Sequence, residues 1–363
     1  MASEGHLNGT REQYWIDILS GRRLGAWPAT LRACLGAAEG PFLVITQVRN
    51  WLYDRRVVPR RRLPRPVISV GNLTTGGTGK TPIVCWLAQA LAAEGRKPAV
   101  LLRGYKSSGG ISDEQSLIAA SGTPILAVAN PSRVSGAANA LEKQPDTDLF
   151  ILDDGLQHRR VRRDLEIVLI SATEPWGMGH LLPRGLLRES ISGLKRADAV
   201  VVTHSDEISA ERLFVLELNI KAQNYDVPIY HAEHHLTSLA PADGRAIPVV
   251  ELGERPYLVA CGIGQPHSFV SALQKHGVHR VGRRFFDDHH RFTADDVASL
   301  RMQAVGAGGT CVIVTEKDWT KLREIPEAKG GEVPFLRAQM RIEFREKEGE
   351  QLLDLVRQRS RRK

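Results

Sequence analysis

The apolar positions of the chain change period several times, and each change marks an element. Between residues 15 and 53 they recur at near-helical spacing, most clearly at Phe42, Leu43, Ile45, Val48, Trp51 and Leu52. Arg32, Glu39, Gln47 and Arg49 interrupt that stretch, so it reads as an amphipathic helical segment and not as a membrane-spanning helix. At residues 67–70 the pattern becomes a short continuous apolar run, the mark of a buried strand. Ile83, Val84, Leu87, Ala88 and Leu91 then restore a helical face that ends at Gly95, and residues 98–102 form a second buried run. Strand, helix and strand make a β-α-β unit. Further apolar runs at 149–152, 165–170, 199–203 and 228–231, with helical patterns between them, predict an open, mostly parallel sheet covered on both faces. The fold class is α/β.

A loop-rich interval from residue 236 to 255 carries Pro241, Asp243, Gly244, Pro248 and Gly253, and predicts a domain boundary. Beyond it, runs at 257–261, 278–286 and 311–315 alternate with helical patterns at 268–276 and 293–305. The expected division is an N-terminal amphipathic segment of the core at 1–66, a core domain at 67–236, and a smaller C-terminal α/β domain at 237–363 that ends in a helix.

The first strand runs into Gly71-Asn72-Leu73-Thr74-Thr75-Gly76-Gly77-Thr78-Gly79-Lys80-Thr81. Glycines let successive backbone N–H groups turn toward an anion, and the helix that follows adds its positive end. Thr74, Thr75, Gly76, Gly77, Thr78, Gly79, Lys80 and Thr81 therefore form a candidate ATP cradle. Lys80 reaches the β/γ-phosphates, and the Thr81 hydroxyl suits a phosphate-bound Mg²⁺. Thr74 stands where the usual pattern has glycine, and Gly76-Gly77 restores the flexibility. The strand at 149–152 delivers Asp153-Asp154-Gly155 to the same sheet edge, where carboxylates hold Mg²⁺ directly or through water.

Ser112-Asp113-Glu114-Gln115 has capping-box spacing and places both acids in a first helical turn. From spacing alone, catalysis and helix capping both remain open for Asp113 and Glu114. Thr203-His204-Ser205-Asp206 carries histidine where a guanine-reading motif has lysine, so GTP is not indicated. Gly262-Ile263-Gly264, Asp287-Asp288-His289-His290 and Thr315-Glu316-Lys317-Asp318 are polar clusters at strand ends, expected to gather at one sheet edge. Neighbouring histidines on a strand point to opposite faces, which disfavours a metal site at His289-His290.

Composition changes this picture in one respect. The 363 residues are 42% hydrophobic and 25% charged, an ordinary globular balance with room for two domains. Cysteines at 34, 85, 261 and 311 form no Cys-x-x-Cys pair, so neither zinc nor a disulfide framework is indicated and a reducing cytosol is expected. No export leader is expected from the polar opening residues. The net charge of +8, however, calls for an acidic partner, and six arginines fall between Arg55 and Arg65. Placed directly after the amphipathic segment, they fit an interfacial helix on anionic lipid. A core-packed helix followed by a basic linker fits equally well. Nothing resembles a nucleic-acid-binding helix-turn-helix or an aromatic RNA-binding strand, so no nucleic acid is expected, and no obligate protein partner is indicated.

Taken together, these motifs resemble the tetraacyldisaccharide 4'-kinase family. The likeness rests on Gly71-Asn72-Leu73 with Gly76–Thr81, Arg103-Gly104-Tyr105, Asp113-Glu114, Asp153-Asp154-Gly155-Leu156-Gln157-His158, Leu182-Pro183 with Leu187-Arg188-Glu189, Gly262-Ile263-Gly264, Asp288-His289 and Thr315-Glu316-Lys317-Asp318. The resemblance implies a P-loop core with an amphipathic N-terminal segment on the cytoplasmic face of the inner membrane, and a smaller domain closing over the nucleotide. It implies ATP and Mg²⁺ as cofactors and a lipid disaccharide phosphate as acceptor. Asp113 matches the proposed general base, paired with His289, while Thr81, Glu114, Asp153 and Asp154 match the Mg²⁺ neighbourhood. Arg184 departs from the family's usual Pro-Ala-Gly. A membrane- or nucleoid-associated regulatory ATPase is the competing reading; Thr75, standing where that class carries a signature lysine, weighs against it.

Overall fold

The computed structural model describes residues 11–104, 115, 118, 125–242, 244–252, 255–264, 266–275, 280–288 and 290–361. Two helices open it, α1 (Arg11–Leu19) and α2 (Ala26–Asp54). By contacts the chain forms two compact units, Thr30–Glu233 with Ile342–Lys363, and Met1–Ala29 with His234–Arg341.

The larger unit is built on β1 (Val67–Asn72), α3 (Lys80–Ala93), β2 (Pro98–Leu102), β3 (Leu126–Ala129), α4 (Arg133–Lys143), β4 (Leu149–Asp153), β5 (Leu165–Ser171), β6 (Ala199–Thr203), α5 (Ala210–Gln223) and β7 (Ile229–Pro241). Its strands lie in the order β7-β6-β5-β1-β4-β2-β3, all parallel. Every residue of β1, β4 and β5 is buried. In β4, Leu149 and Ile151 enter one core while Phe150 and Leu152 enter another on the opposite face. Both faces are therefore covered, and the apolar runs are continuous for that reason.

The smaller unit contains β8 (Ile247–Pro248), β9 (Tyr257–Cys261), α6 (Pro266–Gln274), β10 (Arg280–Phe285), α7 (Ala294–Gly306), β11 (Cys311–Thr315) and α8 (Glu316–Leu322), and β12 (Phe335–Phe344) follows. Its parallel strands run in the order β10-β9-β11-β12. The pair β7–β8 is antiparallel, Ser238 facing Pro248. A last helix, α9 (Glu348–Ser360), closes the described chain.

These units divide the chain differently from the sequence expectation. The interval after residue 236 holds the end of β7 and β8, so the chain changes unit inside β7 and returns inside β12. The terminal helix belongs with the larger unit: Leu352, Leu353 and Val356 join the core made by Ile83, Val84 and Leu87 of α3, and Phe344 lies 4.4 Å from Trp86. The amphipathic α2 is docked on one stripe and bare on another. Phe42 and Leu43 pack against the core containing Leu73, Leu181 and Leu187. Val44, Ile45, Val48 and Trp51 are exposed, Ile45 at 67%. Among the described residues no helix is long and apolar enough to cross a membrane.

Candidate active site

The site begins where β1, at the centre of the larger sheet, ends. Gly71 is required by close approach, because a Cβ there would lie 2.5 Å from the Leu156 backbone nitrogen. That contact seats the Asp153–Gln157 turn directly against the end of β1. Asn72 is fully buried and arranges the cradle entrance: its Nδ2 donates to the Thr74 carbonyl at 2.8 Å, and its Oδ1 accepts from Lys80 Nζ at 3.0 Å. The Thr75 N–H donates to the Leu186 carbonyl and the Arg188 N–H to the Leu73 carbonyl, both at 2.7 Å, so a second strip of chain fixes the first limb. Thr203 on β6 donates to the Thr78 carbonyl at 3.1 Å and fixes the other.

Gly79 is left-handed, φ 74°, and no side chain caps α3 behind it. The first turn of α3, which contains Lys80 and Thr81, has no acidic residue. An uncapped, acid-free helix start beside a glycine turn offers its N–H groups and dipole to an anion. Thr74–Thr81, the candidate cradle of the sequence analysis, span the turn from the end of β1 to the first residues of α3.

Asp154 faces Lys80 across the mouth of the cradle, with Oδ1 3.8 Å from Nζ. Arg188 Nη1 approaches both of its oxygens, at 2.7 and 2.8 Å. Burial pushes this carboxyl up, but Lys80, Arg188 and Arg133 outweigh it and hold it below the usual carboxylate range. Asp154 adopts φ 54°, an uncommon conformation outside glycine that Asp tolerates. Asp153 is buried at the strand end, and its carbonyl accepts from Arg133 at 2.9 Å. His158, in the same turn, is pushed down to about 4 by burial and by Arg133, Arg163, Arg103 and Arg160, so it is neutral at pH 7 in a positive field.

Behind the cradle a hydrogen-bonded relay reaches α2. Gln157 Nε2 donates to the Asn72 carbonyl at 2.8 Å and to Glu189 at 3.0 Å. The buried Glu189 also accepts from Asn50 of α2 at 3.0 Å and from Arg196 at 2.7 Å. Arg159, almost wholly buried, donates to the Asn50 carbonyl at 2.9 Å and pairs with Asp54. Arg133, Arg159, Arg196 and Asn50 were absent from the sequence-predicted site, because nothing in their local sequence marks them. Asn72, Gln157, Arg188 and Glu189 carried a signal only within the resemblance.

Asp113, Glu114 and His289 lie outside the described residues. Among the described residues no group of three or more His, Cys, Asp or Glu side chains is arranged to hold a metal. The donors near the cradle, the Thr81 hydroxyl and the Asp153 and Asp154 carboxylates, are hard oxygens, which suits Mg²⁺ with its preference for phosphate and water as remaining ligands.

Comparison with known proteins agrees with this geometry. Residues 31–357 match the family model described as tetraacyldisaccharide-1-P 4'-kinase. A tetraacyldisaccharide 4'-kinase of Anaeromyxobacter dehalogenans (strain 2CP-C) is 35% identical over 344 residues, covering 90% of this chain and 89% of that protein. One from Geobacter sulfurreducens is 36% identical over 328 residues, covering 85% and 89%. A probable mitochondrial tetraacyldisaccharide 4'-kinase of Arabidopsis thaliana is 35% identical over 324 residues, 80% of this chain and 81% of that one. Among solved structures, LpxK from Aquifex aeolicus in complex with ATP superimposes with a TM-score of 0.69 at 28% identity, over 91% of this chain and all of that one. With a cradle at the end of β1, an ion-paired Asp154 facing Lys80, and a match that spans most of both chains, this chain belongs to the tetraacyldisaccharide-1-P 4'-kinase family.

Proposed function

We propose that the protein transfers the γ-phosphoryl group of ATP to the 4'-hydroxyl of a tetraacylated glucosamine disaccharide 1-phosphate, a step of lipid A synthesis. The observation that carries this reading is the Lys80–Asn72–Asp154–Arg188 arrangement at the mouth of an uncapped helix start, in a chain of this family. Phosphoryl transfer asks mostly for positioning and for positive charge aimed at the moving group. Lys80 supplies that charge from a fixed place, since Asn72 holds its ammonium. Arg188 and Lys80 together neutralise Asp154, which keeps the acid from repelling a polyphosphate.

Thr81, Glu114, Asp153 and Asp154 are the residues we assign to Mg²⁺, which when bound would spread the charge of the β- and γ-oxygens. Asp113, oriented by His289, is assigned as acceptor of the sugar hydroxyl proton. Support for that pair is the family motif and the suitability of an Asp–His pair for general base work. The basic surroundings of His158 favour an anionic acceptor.

We further place the protein at an anionic membrane surface through α2 and the arginine cluster. Exposed Val44, Ile45, Val48 and Trp51 give the apolar side, and Arg55, Arg56, Arg61 and Arg62 are exposed just beyond. Arg60 and Arg65 are also exposed but make contacts within the protein, with Asp54 and with the Thr147 carbonyl.

The decisive assay is ATP-dependent phosphorylation of purified disaccharide lipid in detergent. Formation of a product bearing one added phosphate at the 4'-position is expected; ATP hydrolysis without lipid phosphorylation refutes the reading.

A further inference from the structure

The chain between β4 and β5 crosses the end of β1, and its footing there is a buried ion pair. Glu166 stands on β5 beside Ser69 of β1, and Arg163, three residues earlier, has its Nε 3.0 Å from the Glu166 Oε2. Both side chains are almost wholly buried, at 8% and 6% exposure. Arg163 Nη2 donates to the Gly155 carbonyl and, at 3.3 Å, to the Leu156 carbonyl. These are the two residues that follow Asp154 in the chain.

The turn they form leaves no slack. The Gly155 N–H donates to the Val70 carbonyl at 3.0 Å, and the His158 N–H to the Gly155 carbonyl at 2.8 Å. A Cβ on Gly155 would stand 2.1 Å from Ser69 Oγ, so the backbone lies directly on β1. Just before it, Asp154 holds φ 54°, a conformation that persists only where neighbouring contacts over-determine it.

Stability does not account for the pair. Burial pushes the Glu166 carboxyl up against the pull of Arg163, and it pushes the Arg163 guanidinium down. Apolar side chains of similar size in place of a buried ion pair often leave a protein equally or more stable, so the charges here call for another use. What Arg163 has that an apolar residue lacks is a planar fork, with one part beside Glu166 and another reaching two successive carbonyls.

We propose that Arg163, anchored by Glu166, is a positioning residue for phosphoryl transfer: it fixes the Gly155–Leu156 turn and through it the placement of Asp154 opposite Lys80. This rests on the reading of Asp154 as part of the phosphoryl-transfer site. The two limbs of the cradle are held by Leu186 and Thr203, so nucleotide affinity survives a loosened turn.

The test uses the full chain in the detergent assay, with Arg163→Met combined with Glu166→Met, Arg163→Lys alone, and Asp154→Asn alone. The double variant leaves no unpaired charge in the interior, so its urea midpoint should stay near that of the wild type. A displacement of about 1 Å at a reacting group lowers rates by up to about 100-fold, so its kcat should fall about 10- to 100-fold, with KM for ATP nearly unchanged. Amide hydrogen exchange should quicken at Gly155 and His158 and stay unchanged along β6. Wild-type kcat in the double variant, or exchange that quickens equally in the turn and in β6, overturns the proposal. Wild-type turnover in Asp154→Asn overturns instead the reading of the site beneath it. If the double variant does not fold, Arg163→Lys carries the test, because it keeps the charge beside Glu166 and loses the fork. The same kcat loss and the same local exchange are then required of it.

Discussion

Two sheet edges of this molecule use the same vocabulary for different ends. At the end of β1 and β4 stand a glycine turn, a lysine and a half-buried aspartate; at the end of β9 and β11 stand another glycine turn, two lysines and a fully buried aspartate. Asp154, at the first edge, meets cations: Lys80, Arg188 and Arg133 hold it ionised against burial. Asp318, at the second, accepts from the Gly262 N–H and the Thr315 hydroxyl, and burial pushes its carboxyl up despite them and despite the nearby Lys321 and Lys317. The difference is whether the cations or the burial wins. A partly open cluster in which cations dominate suits work on an anion, and a closed one in which burial dominates fastens two loops together.

The strongest way to break this contrast is Lys80→Ala. Loss of a fixed positive charge at the transferring group should lower turnover by about 100- to 1,000-fold, while unfolding free energy changes by less than about 1 kcal/mol. Steady-state kinetics beside a denaturant titration checks both halves, and near-normal turnover in the folded variant removes the cradle from the mechanism.

A second test sharpens it through pH. The folded pKa of Asp154 lies below the ordinary value of 3.8, so its contribution to stability is complete above that value and is lost as pH falls through the folded pKa. Arg188→Ala removes the two short hydrogen bonds, raises the Asp154 pKa and should move the acid limb of both the stability and the kcat profile to higher pH. An unmoved acid limb would show that Arg188 does not govern this carboxylate.

Asp318 should behave in the opposite sense. Its raised folded pKa means that stability falls as pH rises from 3.8 toward that pKa. Asp318→Asn keeps an acceptor for Gly262 and should flatten the pH dependence with no loss of stability at pH 7, whereas Asp318→Ala leaves two buried donors unpaired, at about 1–3 kcal/mol. Urea midpoints measured at pH 5 and 7.5 separate these outcomes, and a destabilised Asn variant would mean that the charge itself is needed.

The smallest effect on turnover belongs to charge that neither edge uses. Replacing Arg55, Arg56, Arg61 and Arg62 by Gln should weaken binding to anionic vesicles by about 1 kcal/mol per residue and leave detergent turnover nearly unchanged. Vesicle sedimentation insensitive both to these substitutions and to salt would leave the exposed face of α2 without its assigned surface.

Much of the architecture was legible because it is local. Buried parallel strands appear as apolar runs, and β1, β2, β4, β5, β6, β9 and β11 all fall on the runs expected of them. Three strands escaped, β8 because it is only two residues long. β3 is four residues long with only Val128 buried, and β12 alternates apolar residues with exposed charge, so neither produces a run. Of the site, the cradle was readable because glycine, lysine and threonine must be contiguous to surround a phosphate. Asn50, Arg133, Arg159 and Arg196 were not, since each comes from a different element and acquires its function only where the chain has folded around β1 and β4.

The amino-acid sequence alone determined the α/β class and the family, because each depends on spacing between near neighbours. Tertiary structure decided the rest. It chose which stripe of α2 is docked and which is bare, placed the terminal helix beside α3, and moved the change of unit into β7 and β12. It also separated Asp154 from Asp318. The two residues are chemically identical, and only their folded surroundings, paired cations for one and deep burial for the other, determine which carboxyl is held below its usual range and which is pushed above it.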